Sequence, residues 1–197
     1  MRINNLKKEI LTIPNALSLF RLILIPVYVV IYLNAKDQID YFLAGSILAV
    51  SCLTDLIDGK VARHFNMIST VGKILDPLAD KATQFALILC LAAKHPVLWY
   101  LTGLFVLKES FQLIAGYINL HKGKMLKGAL ISGKICTTIL FISLIIMVLL
   151  PNLSANIINV IAIVDAIFMI IAFLDYISAY FFRSTNFQQI DPKDNSQ

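Results

Sequence analysis

At 197 residues and 58% hydrophobic, with a mean hydropathy of +0.79, the chain is too apolar for an ordinary water-soluble domain and reads as a polytopic membrane protein. Its net charge of +5 points to anionic lipid and phosphorylated substrates, and against nucleic acid as a partner. Cys52, Cys90 and Cys136 lie inside apolar stretches without metal or redox spacing and read as core thiols.

Six apolar stretches follow one another at about 15–33, 41–62, 72–93, 96–120, 129–150 and 155–182, each long enough for the roughly 20 residues a helix needs to cross the hydrocarbon core. The predicted fold is all-α, with six transmembrane helices, an interfacial helix over 1–13 and a polar tail over 184–197, in a single membrane domain. Orientation follows from lysine and arginine. Arg2, Lys7, Lys8, Lys60, Arg63, Lys73, Lys122, Lys124, Lys127, Arg183 and Lys193 share one side, against Lys36 and Lys94 on the other. Both termini are therefore expected in the cytoplasm.

Taken in order, Ile3, Leu6 and Ile10 share a helical face while Lys7 and Lys8 point elsewhere, which predicts a short helix on the inner membrane surface. The charge before the next apolar run imitates a signal peptide. Arg21 and Pro26 interrupt that run and no cleavage site follows, so retention is expected. Pro14 suits a helix start, Asn15 and Ser18 offer hydrogen bonds near the inner surface, and Pro26 predicts a kink. Arg21 lies about 9 Å deep at 1.5 Å per residue, where it either snorkels or faces an acidic site.

The second span ends in Asp55, Asp58, Gly59, Ala62 and Arg63, and the third opens with Gly72, Asp76, Pro77 and Asp80. Asp55 and Asp58 are three apart and Asp76 and Asp80 four apart, so each pair lies along one helix face. A chain reversal between Arg63 and Gly72 would make the two helices antiparallel neighbours. Asp55 and Asp80 would then both lie about 12 Å from the turn, with Asp58 and Asp76 nearer to it at about 6–8 Å. Each acid near the bilayer centre costs roughly 2.5–3.5 kcal/mol, so four together need a counter-charge. Oxygen ligands without His or Cys suit magnesium or manganese. Gly59 leaves room for something bulky near the backbone, and Arg63 can hold a phosphate at two points.

Further along, Lys108 and Glu109 interrupt the fourth span and either pair with neighbouring helices or turn Lys108 to a polar cavity. The stretch 121–134 is the most basic, and Lys134, one turn into the fifth span, is assigned to substrate. Asp165 and Asp175 in the sixth span are expected to pair structurally, Asp175 with Arg21 or Lys134.

The pattern D-x-x-D-G-x-x-A-R, eight residues, G-x-x-x-D-x-x-x-D, filled by Asp55, Asp58, Gly59, Ala62, Arg63, Gly72, Asp76 and Asp80, resembles the full signature of the CDP-alcohol phosphatidyltransferase family. The resemblance implies transfer from a CDP-linked lipid, usually CDP-diacylglycerol, to an acceptor alcohol with release of CMP. It implies that Asp55, Asp58, Asp76 and Asp80 hold two divalent cations, Mg2+ or Mn2+, and that Asp80 is also the catalytic base. Gly59, Ala62, Arg63 and Gly72 would receive the cytidine diphosphate, and a homodimer is implied. The runs 13–21 and 75–81 resemble bacterial phosphatidylglycerophosphate synthases, whose acceptor, glycerol 3-phosphate, would suit Arg21, Lys108 and Lys134. Lys108 stands where those enzymes usually carry arginine, which keeps the charge and loses the fork. Related enzymes accept phosphatidylglycerol, giving cardiolipin, or inositol, inositol phosphate or serine. A reading from another class, a cation transporter built on buried acids, leaves Gly59, Arg63 and Gly72 without a purpose.

Overall fold

Pro14 falls in the first turn of a helix, where its fixed φ suits the start and its missing amide has no intrahelical acceptor to lose. Among the described residues the apolar runs form six helices: α1 (Ile13–Asn34), α2 (Gln38–His64), α3 (Gly72–Lys94), α4 (Leu98–His121), α5 (Ile131–Leu149) and α6 (Ala155–Phe181). The computed structural model describes residues 13–64, 72–121, 124–126, 130–181 and 187–189, with side chains described over 15–54, 75–121 and 130–181. The amphipathic stretch at the N-terminus, the reversal after His64, and Lys122 and Lys127 lie outside them.

The predicted helices form within a few residues of their expected ends. Asn15–Asn34, Ile131–Leu149 and Ala155–Phe181 are long and apolar enough to cross a bilayer, and α2 is apolar over Gln38–Thr54. On α6 the outward side carries Val160, Ile163, Ile167, Ile170 and Leu174, while Ala162, Asp165, Met169, Ala172 and Tyr176 are buried. A helix whose exposed side is more apolar than its packed side belongs in lipid.

One departure from an all-helical chain is a two-stranded ribbon. β1 (Lys124–Leu126) and β2 (Phe187–Gln189) pair antiparallel, with Lys124 opposite Gln189, Met125 opposite Gln188 and Leu126 opposite Phe187. The polar tail is thus partly ordered by backbone pairing, which hydropathy does not reveal.

The described residues group into two compact units. The first holds α1, α2, α3 and Leu144–Asn152; the second holds α4, α5 as far as Ser143, α6 and the ribbon.

In the first unit α1 packs against both α2 and α3. At the end of α1 remote from the acids, Lys94 closes the bundle. Its Nζ donates to Tyr41 Oη at 2.6 Å and to the Ala35 carbonyl at 3.3 Å, and lies 4.7 Å and 4.3 Å from the ring centres of Tyr32 and Tyr41. Each such cation–ring contact is worth about 0.5–2 kcal/mol. Asp40 starts α2: its carboxylate accepts from the amides of Lys36 at 3.0 Å and Asp37 at 3.3 Å, a capping arrangement that holds it below the usual carboxylate pKa range.

In the second unit α4 packs on α6 through Phe111, whose ring meets Phe173 edge-on at 5.3 Å and Tyr180 at 6.2 Å. Gly133 lets α5 approach α6, because a Cβ there would lie 2.6 Å from the hydroxyl of Tyr176 and 2.8 Å from its ring. Cys90 and Cys136 are buried and Cys52 half-buried, all as thiols, in keeping with the core reading.

Candidate active site

The site is built on α1 and α3 of the first unit. Asn15, Ser18 and Arg21 recur every three residues on α1 and are all buried, while Leu19, Phe20 and Ile23 on its other side are exposed. An apolar helix that turns its polar residues inward must satisfy them there, since unpaired polar groups away from water are costly. On α3, Asp76 and Asp80 sit one turn apart on one face. Ser18 Oγ donates to Asp76 Oδ1, and the guanidinium of Arg21 pairs with Asp80 Oδ1. Of the two readings of Arg21, the chain adopts the one in which it faces the acids.

Asp55, Asp58, Gly59, Ala62 and Arg63 fall in the last turns of α2 and Gly72 opens α3, as the signature requires. Their side chains lie outside those described. No cluster of three or more His, Cys, Asp or Glu occurs among the described residues.

Behind the acids, α1, α2 and α3 line a small cleft. Its walls are mostly leucine, isoleucine and alanine, interrupted by Tyr28, Ser51 and Thr83. Thr83 Oγ1 donates back to the Ala79 carbonyl at 2.8 Å, which leaves the cleft largely apolar.

The other predicted residues belong to the second unit. Lys108 is buried and donates from Nζ to Glu109 Oε1 at 2.6 Å, so its partner is its own sequence neighbour and not a residue of another helix. Lys134 is exposed near the start of α5. Ser132 Oγ donates to Asp175 Oδ2 at 2.6 Å and Ser143 Oγ to Asp165 Oδ1 at 3.0 Å. Both acids therefore pair within the bundle as expected, each accepting from a serine hydroxyl that the sequence reading had not named. The inward stripe Asn15, Ser18, Arg21 was the signal by which Ser18 could have been tied to the acids.

The family model described as CDP-alcohol phosphatidyltransferase matches residues 11–177. The chain is 32% identical over 176 residues to the CDP-diacylglycerol–glycerol-3-phosphate 3-phosphatidyltransferase of Aquifex aeolicus, covering 84% of this chain and 94% of that protein. It is 28% identical over 172 residues to the enzyme of that name from Shigella flexneri serotype 5b, covering 85% and 93%. A probable cardiolipin synthase of Drosophila melanogaster is 36% identical over 115 residues, which are 57% of this chain and 34% of the fly protein. With the signature intact and the family model matched over most of its length, the chain belongs to the CDP-alcohol phosphatidyltransferase family and is an enzyme of that class.

Proposed function

We propose that the protein transfers the phosphatidyl group of CDP-diacylglycerol to glycerol 3-phosphate, giving phosphatidylglycerophosphate and CMP. The observation that carries this reading is the convergence of Ser18 and Arg21 of α1 on Asp76 and Asp80 of α3. The near full-length likeness to the Aquifex enzyme supports the choice of acceptor.

Asp76 and Asp80 offer only oxygen and already draw a hydroxyl proton and a guanidinium toward them, which is the chemistry of a site that fits hard divalent cations. Asp55, Asp58, Asp76 and Asp80 would hold two such ions, Mg2+ or Mn2+. When bound, they supply charge neutralisation of the pyrophosphate and of the oxygen it loses.

The chain's own residues do the rest. Asp80, about half exposed, takes the proton of the acceptor hydroxyl as that oxygen forms its bond to the phosphatidyl phosphorus; the bond from phosphorus to the bridging oxygen breaks, and CMP leaves with that oxygen. Gly59, Ala62, Arg63 and Gly72 hold the cytidine diphosphate. Arg21, paired with Asp80, steadies that carboxylate. The apolar cleft behind the acids keeps that flank of the site dry.

The remaining proposals follow from the same sequence. All six described helices span the membrane with both termini and the acids at the cytoplasmic face, and the enzyme is a homodimer.

Membranes holding the protein, given CDP-diacylglycerol, radiolabelled glycerol 3-phosphate and Mg2+ or Mn2+, are expected to place label in the lipid phase, and chelation of the metal to stop it. Label that stays water-soluble with metal present rejects the assignment. A second reading, phosphatidylglycerol as acceptor, is favoured by the likeness to cardiolipin synthases of Drosophila melanogaster and of Streptomyces coelicolor, the latter 33% identical over 117 residues. CMP release with phosphatidylglycerol and none with glycerol 3-phosphate would select it.

A further inference from the structure

Hydroxyls buried in apolar helices commonly bond back to the carbonyl one turn earlier. This chain does so repeatedly: Thr83 to Ala79 at 2.8 Å, Thr102 to Leu98 at 2.9 Å and Thr137 to Gly133 at 2.8 Å. Three serines, Ser18, Ser132 and Ser143, also reach an acid on another helix, and of these Ser18 meets an acid of the signature. Fully buried in α1, it reaches across to α3 and gives its proton to Asp76 Oδ1, a residue 58 positions further along.

From this geometry we infer that Ser18 is a positioning residue for Asp76 and sets the affinity of the acidic site for divalent cations. The inference rests on the metal-dependent reading above. A carboxylate on a long helix can rotate about its side-chain bonds. A donor fixed to one oxygen by a neighbouring helix removes that freedom before any cation arrives. Partners of this kind typically change metal affinity 10–100-fold when removed. Arg21 bears on Asp80 in a comparable way, but it also carries charge, so its loss mixes orientation with electrostatics. Ser18 is neutral, and its removal isolates orientation.

The test is Mn2+ titration of the purified full chain in detergent, read by the electron paramagnetic resonance of the free ion, with thermal unfolding alongside. S18A is expected to weaken binding about 10-fold with little change in unfolding temperature, and S18T, which restores a hydroxyl, to recover most of the loss. A hydroxyl that only fills space in α1 would shift the unfolding temperature and leave Mn2+ binding alone. Should S18A fail to fold, S18C, close in size and a weak donor, takes its place, and wild-type affinity in it overturns the inference. D76N separates the two levels. If D76N loses Mn2+ while S18A binds as the wild type does, Ser18 has no positioning role and the enzyme reading stands. If D76N also binds as the wild type does, both fall.

Discussion

Arg21 lies beneath Asp80: the cation's side chain is 3% exposed and the carboxylate's 49%, although the two are paired. The burial is lopsided, so the two partners are not equivalent. Replacing Arg21 leaves an anion that water can reach, whereas replacing Asp80 removes a counter-charge from a cation that water cannot reach.

We therefore expect Asp80→Asn to cost about 1–3 kcal/mol of stability, Arg21→Gln less, and the double variant to recover part of the loss. Thermal unfolding of the four proteins in one detergent measures the cycle. For activity, D80N lowers kcat by about 10²–10⁴, the usual contribution of a general base, while R21Q lowers it less, through the carboxylate it no longer steadies. Retained turnover in D80N would remove the proton-accepting role from Asp80.

Two glycines separate a tolerant helix contact from an intolerant one. A Cβ at Gly133 meets the ring and hydroxyl of buried Tyr176. A Cβ at Gly45 meets only the tip of Leu149, at 2.5 Å, on a half-exposed side chain that can rotate away. G133A is expected to destabilise by about 1–3 kcal/mol and G45A by little. Equal unfolding temperatures for the two would show that the Tyr176 contact is soft.

Lys94 ties together the ends of three helices through two rings, a hydroxyl and a carbonyl. Lys94→Met keeps most of the stem and loses all four contacts, at a cost of about 1–3 kcal/mol, while Tyr41→Phe loses only the 2.6 Å hydrogen bond, about 1 kcal/mol. Neither residue is near Asp76 or Asp80 along its helix, so kcat at low temperature is expected to be unchanged. A loss of kcat without loss of stability would contradict that separation.

The cap at the start of α2 has a pH dependence of fixed sign. The amides of Lys36 and Asp37 hold the Asp40 carboxyl below its ordinary range. Its contribution to stability is therefore present above the unfolded value of about 3.9 and is lost as the pH falls through the depressed one. Unfolding temperatures of wild type and Asp40→Ala should differ at pH 6 and converge toward pH 3. A gap that persists unchanged at pH 3 would mean the amides are not what Asp40 serves.

How much of this was legible beforehand depends on range. The helices and the spacing of Asp76 and Asp80 follow from local hydropathy and the 3.6-residue turn, and Arg21 betrayed itself by its depth. The partner of Ser18 was legible only as far as the face it shares with Asn15 and Arg21, because which acid it meets across 58 positions is fixed by how α1 lies on α3. Lys108 misled for another reason. Adjacent residues point about 100° apart on a helix, yet two long side chains can bend together, as Lys108 and Glu109 do. The serine contacts of Asp165 and Asp175 were obscured because charged residues invite a search for opposite charge, while a hydroxyl can also donate to a carboxylate.

The ribbon between Lys124–Leu126 and Phe187–Gln189 is made of main-chain atoms, so its rungs are indifferent to which side chains stand there, proline excepted. The tail can therefore vary in composition and still fasten the segment that follows α4. A chain cut before Phe187 would leave β1 as an open edge, exposing amides and carbonyls that a neighbouring molecule could capture. Trimming this tail to simplify purification would thus invite aggregation.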